Sequence, residues 1–212
     1  MHSLADNFAL FQLELGPMAN FVYLIGDPAS KSMVVVDPAW DVNAIWGQAH
    51  ALEYRIGAIL LTHGHPDHTN GVLGLLAHAD VPVYISKNEA TYYRPQNVHL
   101  SDLDEGATVS VGNLEISVIA TPGHTPGGLC YHIDNHLITG DTLFIDACGR
   151  VDLPGGNAAL LYESLQCLKK LPDKTRIYPG HHYGEKKWDT LGNQKKSNPY
   201  LAVSRDEFLS IR

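Results

Sequence analysis

Thr62-His63-Gly64-His65-Pro66-Asp67-His68 sets three imidazoles and a carboxylate within six residues, directly after the apolar run Ile56-Gly57-Ala58-Ile59-Leu60-Leu61. The pattern reads as a buried strand whose tip carries a metal site, because neutral imidazole and carboxylate suit zinc, iron and manganese. Four ligands from one turn crowd a single ion. His63 and His65, two apart, can share one metal, while Asp67 and His68 point on toward a second position about 3.5–4 Å away, the spacing of two-metal hydrolytic sites. Gly64 fits because it has no side chain to block close backbone approach.

Such a centre needs ligands from elsewhere, and three later segments each end an apolar run in a candidate. Leu114-Glu115-Ile116-Ser117-Val118-Ile119-Ala120 alternates like a strand and runs into Thr121-Pro122-Gly123-His124-Thr125-Pro126-Gly127-Gly128. His136-Leu137-Ile138-Thr139-Gly140 leads to Asp141, and Arg176-Ile177-Tyr178-Pro179-Gly180 leads to His181. Open α/β sheets gather sites of this kind at the strand ends along one edge. A His-rich surface loop is the bland reading of the first string, and these later ligands count against it.

Composition bounds the chain without choosing its chemistry. At 212 residues, 44% hydrophobic and 18% charged, it is long enough for one domain with a large core. Its formal charge of −8 would become about −4 with two divalent ions. No Lys/Arg cluster offers a footprint for a phosphate backbone, which argues against nucleic acid as a partner. Met1-His2-Ser3-Leu4-Ala5-Asp6 lacks a signal-peptide pattern and no run is long enough to span a membrane, so a cytoplasmic protein, monomer or homodimer, is expected. Cys130, Cys148 and Cys167 are odd in number and show no C-x-x-C spacing, against a disulfide framework or thiolate cage.

Periodicity predicts strands over 8–15, 20–26 and 32–36, a helix capped by Asp41 with Ile45, Ala49 and Leu52 on its apolar face, and the strand ending at Leu61. A helix over 69–79 follows, then a short strand over 81–85, a helical turn over 87–93 and a loop over 102–106. Strands over 108–111 and 114–120 form a hairpin around Gly112-Asn113. The second half continues with strands over 129–133 and 136–139, a loop to Gly156, a helix from Asn157 to about Lys170 and the strand ending at Tyr178. Alone this supports a mixed α/β domain.

The ordered set T-H-G-H-P-D-H, P-G-H-T-P-G, G-D-T-L-F, C-G-R-V-D and Y-P-G-H-H-Y, spread over roughly residues 8–183, resembles the metallo-β-lactamase-fold hydrolases. The nearest resemblance is to the catalytic domain of glyoxalase II and to the persulfide dioxygenases. It implies a single-domain αββα sandwich over 1–212, with a core of about 8–183 and a C-terminal tail over 184–212. It further implies that His63, His65 and His124 hold one metal, that Asp67, His68 and His181 hold another, and that Asp141 bridges them. The metals would be zinc or iron, with Asp67 and Asp141 serving catalysis. Asp37, after Val34-Val35-Val36, falls on a supporting position of the family; otherwise it simply ends a strand.

The implied reaction is hydrolysis of a small-molecule thioester such as an S-acyl-glutathione by a metal-bridging hydroxide. A metal brings the pKa of bound water from 15.7 to about 7, and a thiolate is a good soft leaving group for such a site. Arg150, in Cys148-Gly149-Arg150, and Tyr183 match substrate-contacting positions of these relatives. Their plainer readings are an Arg150–Asp152 surface pair and a packed tyrosine. Long-form glyoxalase II adds a C-terminal helical domain that completes the glutathione site, and the tail from Gly184, with Lys186, Lys187, Lys195 and Lys196, is too short to replace it.

Three alternatives stay open. A persulfide dioxygenase would use one Fe(II) on His63, His124 and Asp141, and C-G-R-V-D resembles its motif at Arg150 and Asp152. Lactonase or weak β-lactamase activity would use the same hydroxide, whereas the flavodiiron branch carries a carboxylate where this chain has His65. A structural metal clamp is the non-enzymatic reading, though structural zinc sites are usually closed four-ligand cages. The other histidines, His2, His50, His78, His99, His132, His136 and His182, lack ligand spacing; His182 would trade places with His181 on a one-residue shift.

Overall fold

The computed structural model describes residues 7–211 apart from 92, 94, 96 and 97. Met1–Asp6, read above for a leader, therefore lies outside the described residues together with His2. Two six-stranded sheets stack face to face with helices on both outer faces. The first holds β1 (Ala9–Leu15), β2 (Asn20–Asp27), β3 (Ser32–Val36), β4 (Arg55–Leu60), β5 (Val83–Ser86) and β6 (Leu100–Leu103), in that order. The second runs β14 (Asp189–Thr190), β13 (Arg176–Pro179), β10 (His136–Gly140), β9 (Leu129–Ile133), β8 (Leu114–Ala120) and β7 (Thr108–Val111). β3 to β6 run parallel, as do β10 and β13, so their carboxyl ends share an edge within each sheet.

Why β2 is buried along its whole length follows from its two covered faces. Phe21, Tyr23 and Ile25 enter the core between the sheets, while Val22 and Leu24 pack outward. That outer layer is closed by Ile45 and Ala49 of α1 (Val42–Ala51) and by Val72 and Leu75 of α3 (Val72–Leu76). Asp41 caps α1 by accepting from the Ala44 amide at 2.9 Å, as its sequence position predicts. On the second sheet, α4 (Ala158–Lys169) lays Leu161, Leu165 and Leu168 over Leu137 and Ile177. The αββα sandwich of the resemblance is the fold of this chain.

Four local expectations are corrected. The helix expected over 69–79 is two pieces, α2 (Pro66–Thr69) and α3, because the Gly71 amide leaves the helix to donate to Pro38 O at 3.0 Å. The loop expected over 102–106 begins as edge strand β6, whose Leu-Ser-Asp-Leu carries too little apolar pattern to announce itself. The loop expected up to Gly156 contains the small hairpin of β11 (Leu143–Phe144) and β12 (Ala147–Cys148), turned at Asp146 with φ 58°. The tail from 184 folds back: β14 pairs with β13, and α5 (Leu191–Ser197), α6 (Pro199–Ala202) and α7 (Arg205–Ser210) cover the second sheet. Leu191, Leu201 and Phe208 are fully buried there, each contributing about 1.5–3 kcal/mol relative to exposure. No helix among the described residues is long and apolar enough to cross a membrane.

Candidate metal centre

The segments that follow β4, β8, β10 and β13 meet on one edge of the sandwich. Backbone bonds join the two sheets there: Phe21 N to Gly180 O at 2.8 Å, His182 N to Ala19 O at 2.9 Å and Leu129 N to Thr62 O at 2.8 Å. Close approach needs glycine twice. Gly140 turns with φ 47° beneath Thr62, and a Cβ on Gly180 would run into Asp141 Oδ1 and come 2.9 Å from His68 Cε1.

All seven residues singled out as ligands come together at this seam. His63 Nε2 lies 3.0 Å from His65 Nδ1, which lies 3.1 Å from His124 Nε2. His68 Nε2 and His181 Nε2 are 3.1 Å apart, with Asp67 Oδ2 at 3.5 and 3.4 Å from them. The two trios His63/His65/His124 and Asp67/His68/His181 each have the compactness of a metal donor set. Asp141 stands between them, Oδ2 being 3.6 Å from His124 Nε2 and 3.4 Å from His181 Nε2. His182 faces away, with Nδ1 3.1 Å from Glu14 Oε2.

The opposite ring nitrogens fix which atoms face inward. His124 Nδ1 donates to Arg150 O at 2.7 Å and His181 Nδ1 to Met18 O at 2.9 Å. His68 Nδ1 donates to Asp37 Oδ2 at 3.0 Å. The Thr62 hydroxyl gives its proton to the same Asp37 oxygen at 2.6 Å and so accepts from His63 Nδ1 at 3.0 Å. Four imidazoles thus turn Nε2 to the centre, the outer-shell arrangement that ligating histidines adopt. Asp37, buried at φ 51°, serves His63 and His68 at once, which goes beyond ending a strand.

Ring nitrogens and carboxylate oxygens that converge at 3.0–3.6 Å call for a cation among them. The charge pattern agrees. Burial opposes ionisation of Asp141, yet the His68 charge and the close polar contacts of His181 and His68 hold its carboxyl well below the usual range. Asp67 is lowered in the same way, against burial, by His181, His68 and Asn20. Burial works against a charged His68 too, but Asp141 and Asp37 lift it well above an ordinary imidazole; His181, against burial, is raised to about 9 by Asp141 and Asp67. His63 moves the other way through burial and the His68 charge, and burial with His124 brings His65 to about 4. Asp141 Oδ1 is buried and accepts no well-formed hydrogen bond among the described residues, although His68 Nε2 is 3.4 Å away. Compact sets of imidazole and carboxylate donor atoms and this orphaned oxygen fit divalent ions.

Above the centre opens a cleft of about 400 Å³ with Met18, Phe144, Leu153 and Tyr183 on its walls. Tyr183 is exposed and stacks on His181 at 4.5 Å and 8°. Arg150 reaches the cleft with its fork already on Asp152, at 2.7 and 2.6 Å, both side chains well exposed. Three contributors escaped the sequence reading. Asn20 Nδ2 donates to Asp67 Oδ2 at 3.0 Å, Trp40 Nε1 steadies Asn20 Oδ1 at 2.7 Å, and Glu89 is wholly buried behind the His63 loop. None bears a motif; only the fold brings them in.

The comparisons agree with this architecture. A probable polyketide biosynthesis zinc-dependent hydrolase, BaeB of Bacillus velezensis, is 38% identical over 92% of this chain and 87% of its own. A hydroxyacylglutathione hydrolase of Shewanella sp. (strain ANA-3) is 33% identical over 83% of this chain, which spans 64% of that protein's length. The crystal structure of ETHE1 from Myxococcus xanthus superposes with a TM-score of 0.88 at 32% identity, covering 96% of this chain and 89% of that one. The Metallo-beta-lactamase superfamily model matches residues 15–181, and the chain belongs to that superfamily.

Proposed function

We propose that the protein is a metal-dependent hydrolase that cleaves a small-molecule thioester. The observation that carries this reading is the pair of donor trios flanking one buried carboxylate at the floor of an apolar cleft. Two divalent ions, zinc or iron, would be held by His63, His65 and His124 on one side and by Asp67, His68 and His181 on the other, with Asp141 shared. Such ions supply a hydroxide nucleophile at neutral pH and polarise a carbonyl. The names of the hydrolase relatives support both the metal dependence and the substrate class.

The chain's own part is orientation. Asp37 and Thr62 lock the His63 and His68 rings, while the Arg150 and Met18 carbonyls lock His124 and His181. Asp67 is steadied by Asn20. Phe144, Leu153 and Met18 exclude water from an acyl group in the cleft, and Tyr183 covers its edge. A thiol with a pKa near 8.5 departs without a dedicated acid, which suits a site built of acceptors. Arg150 can receive a substrate carboxylate bidentately once that group exchanges with Asp152.

The mononuclear iron alternative keeps the same seven residues but would place its metal on His63, His124 and Asp141 alone, whereas the compact Asp67/His68/His181 trio is most simply a second metal's donor set. Metal content per chain tests the choice, together with thiol release from a thioester panel. About two metals and thiol release are expected; one iron with oxygen uptake on a persulfide would overturn the hydrolase reading. His63→Ala should abolish turnover while the far-ultraviolet circular dichroism stays native. Loss of thermal stability with turnover retained would point instead to a structural clamp.

A further inference from the structure

Glu89 is a charged residue type with no solvent exposure, in the 3-10 turn Lys87–Thr91 that follows β5. Its two carboxylate oxygens serve two different loops. Oε2 accepts from the Gly64 amide at 2.8 Å and Oε1 from the Gly127 amide at 2.6 Å. Gly64 sits between His63 and His65, and Gly127 lies three residues after His124. All the ligands of one trio therefore belong to the two loops that this carboxylate ties together. The seat has no slack: a Cβ on Gly127 would come 2.8 Å from Ser86 Oγ and 2.9 Å from Glu89 Oε1.

The other trio is supported differently. Asp67 and His68 ride on α2, His181 pairs across the seam with Asn20, and Asn20 Nδ2 reaches both the carbonyl and the carboxylate of Asp67 at 3.0 Å. We infer that Glu89 is the positioning residue of the His63/His65/His124 trio alone, setting the spacing of its nitrogens through the Gly64 and Gly127 amides. The inference rests on the metal reading above. Loop amides must find acceptors, and a carboxylate that satisfies two of them fixes the separation of the loops as well as their hydrogen bonding. His65 Nδ1 lies 3.0 Å from His63 Nε2 on its own loop and 3.1 Å from His124 Nε2 on the other, so a small shift of either loop changes the donor geometry directly.

The test loads the full chain with cobalt(II), withdraws it with a competing chelator, and follows visible absorption. Glu89→Gln keeps one acceptor oxygen but turns an NH2 toward the other amide; Glu89→Ala removes both acceptors. In Glu89→Gln one cobalt equivalent should be released at about 10–100-fold lower chelator, with the second unchanged. Asn20→Ala should weaken the other equivalent, so the double variant loses both. Glu89→Gln carries the result even if Glu89→Ala fails to fold. Wild-type affinity for both equivalents, with only the melting temperature lowered, overturns the role of Glu89, as does equal weakening of both. A wild-type chain that takes up no cobalt overturns the metal reading and the inference with it.

Discussion

His63, His65, Asp67 and His68 were legible because they share one turn, and His124, Asp141 and His181 because each ends an apolar run; the structure gathers all seven. Glu89 and Asn20 were not, since an acidic residue in Lys-Asn-Glu-Ala reads as a solvated turn and an Asn opening a strand reads as nothing in particular. Their contribution depends on a carboxylate or amide meeting backbone from distant segments, which no local pattern encodes. Gly180 makes the same point sterically, because the space for its missing Cβ is occupied by Asp141 and His68. Gly180→Ala should therefore displace Asp141 and lower kcat/KM, or metal affinity, by about 10–100-fold, as disturbing groups that orient ligands typically does. Measuring thiol release and metal content on the same preparation checks it, and wild-type values for both would show that the seam can widen at no cost.

Among the elements, those with strong periodicity or clear caps were legible: β2, β4, β8, α1 and α4 lie within a residue or two of their expected bounds. β6 and β14 are short and polar, and the helices α5 to α7 are only four to seven residues long and each bury a single large apolar side chain, so tertiary cover decides them. The β2–β3 connection carries a charge that can be titrated. Asp27 accepts from the Ala29, Ser30 and Asn113 amides and from Asn113 Nδ2, linking one sheet to the β7–β8 hairpin of the other. Hydrogen bonds from the Ser30 hydroxyl and the Asn113 amide, outweighing burial, bring its pKa to about 2. A depressed carboxyl stabilises the fold above its unfolded pKa, near 3.9, and that stabilisation is lost as pH falls through about 2. Asp27→Asn should thus unfold at lower denaturant than wild type at pH 7, the gap closing between about pH 4 and pH 2. Chemical denaturation across that range is the check; a gap that persists at pH 2 would mean the link acts through shape alone.

At the level of the whole molecule, periodicity alone reached a mixed α/β domain, and the sandwich was legible only through the resemblance carried by the ordered motifs. Long-range pairing is what a single sequence hides: β14 closes the second sheet from the far end of the chain, and the two sheets are not consecutive hairpins of one meander. The sheets are tied along one margin by the Asp27–Asn113 link and along the other by Phe21–Gly180, His182–Ala19 and Leu129–Thr62. The arrangement is that of a clasped book. Asp27 is on the spine and the ligand trios are the clasp, drawn from both covers. Stripping the metals should then loosen the pages on one side only, with amide hydrogen exchange quickening at Phe21, Leu129 and His182 while Asn113 keeps its protection. Uniform quickening along both margins would show instead that the covers part as a unit.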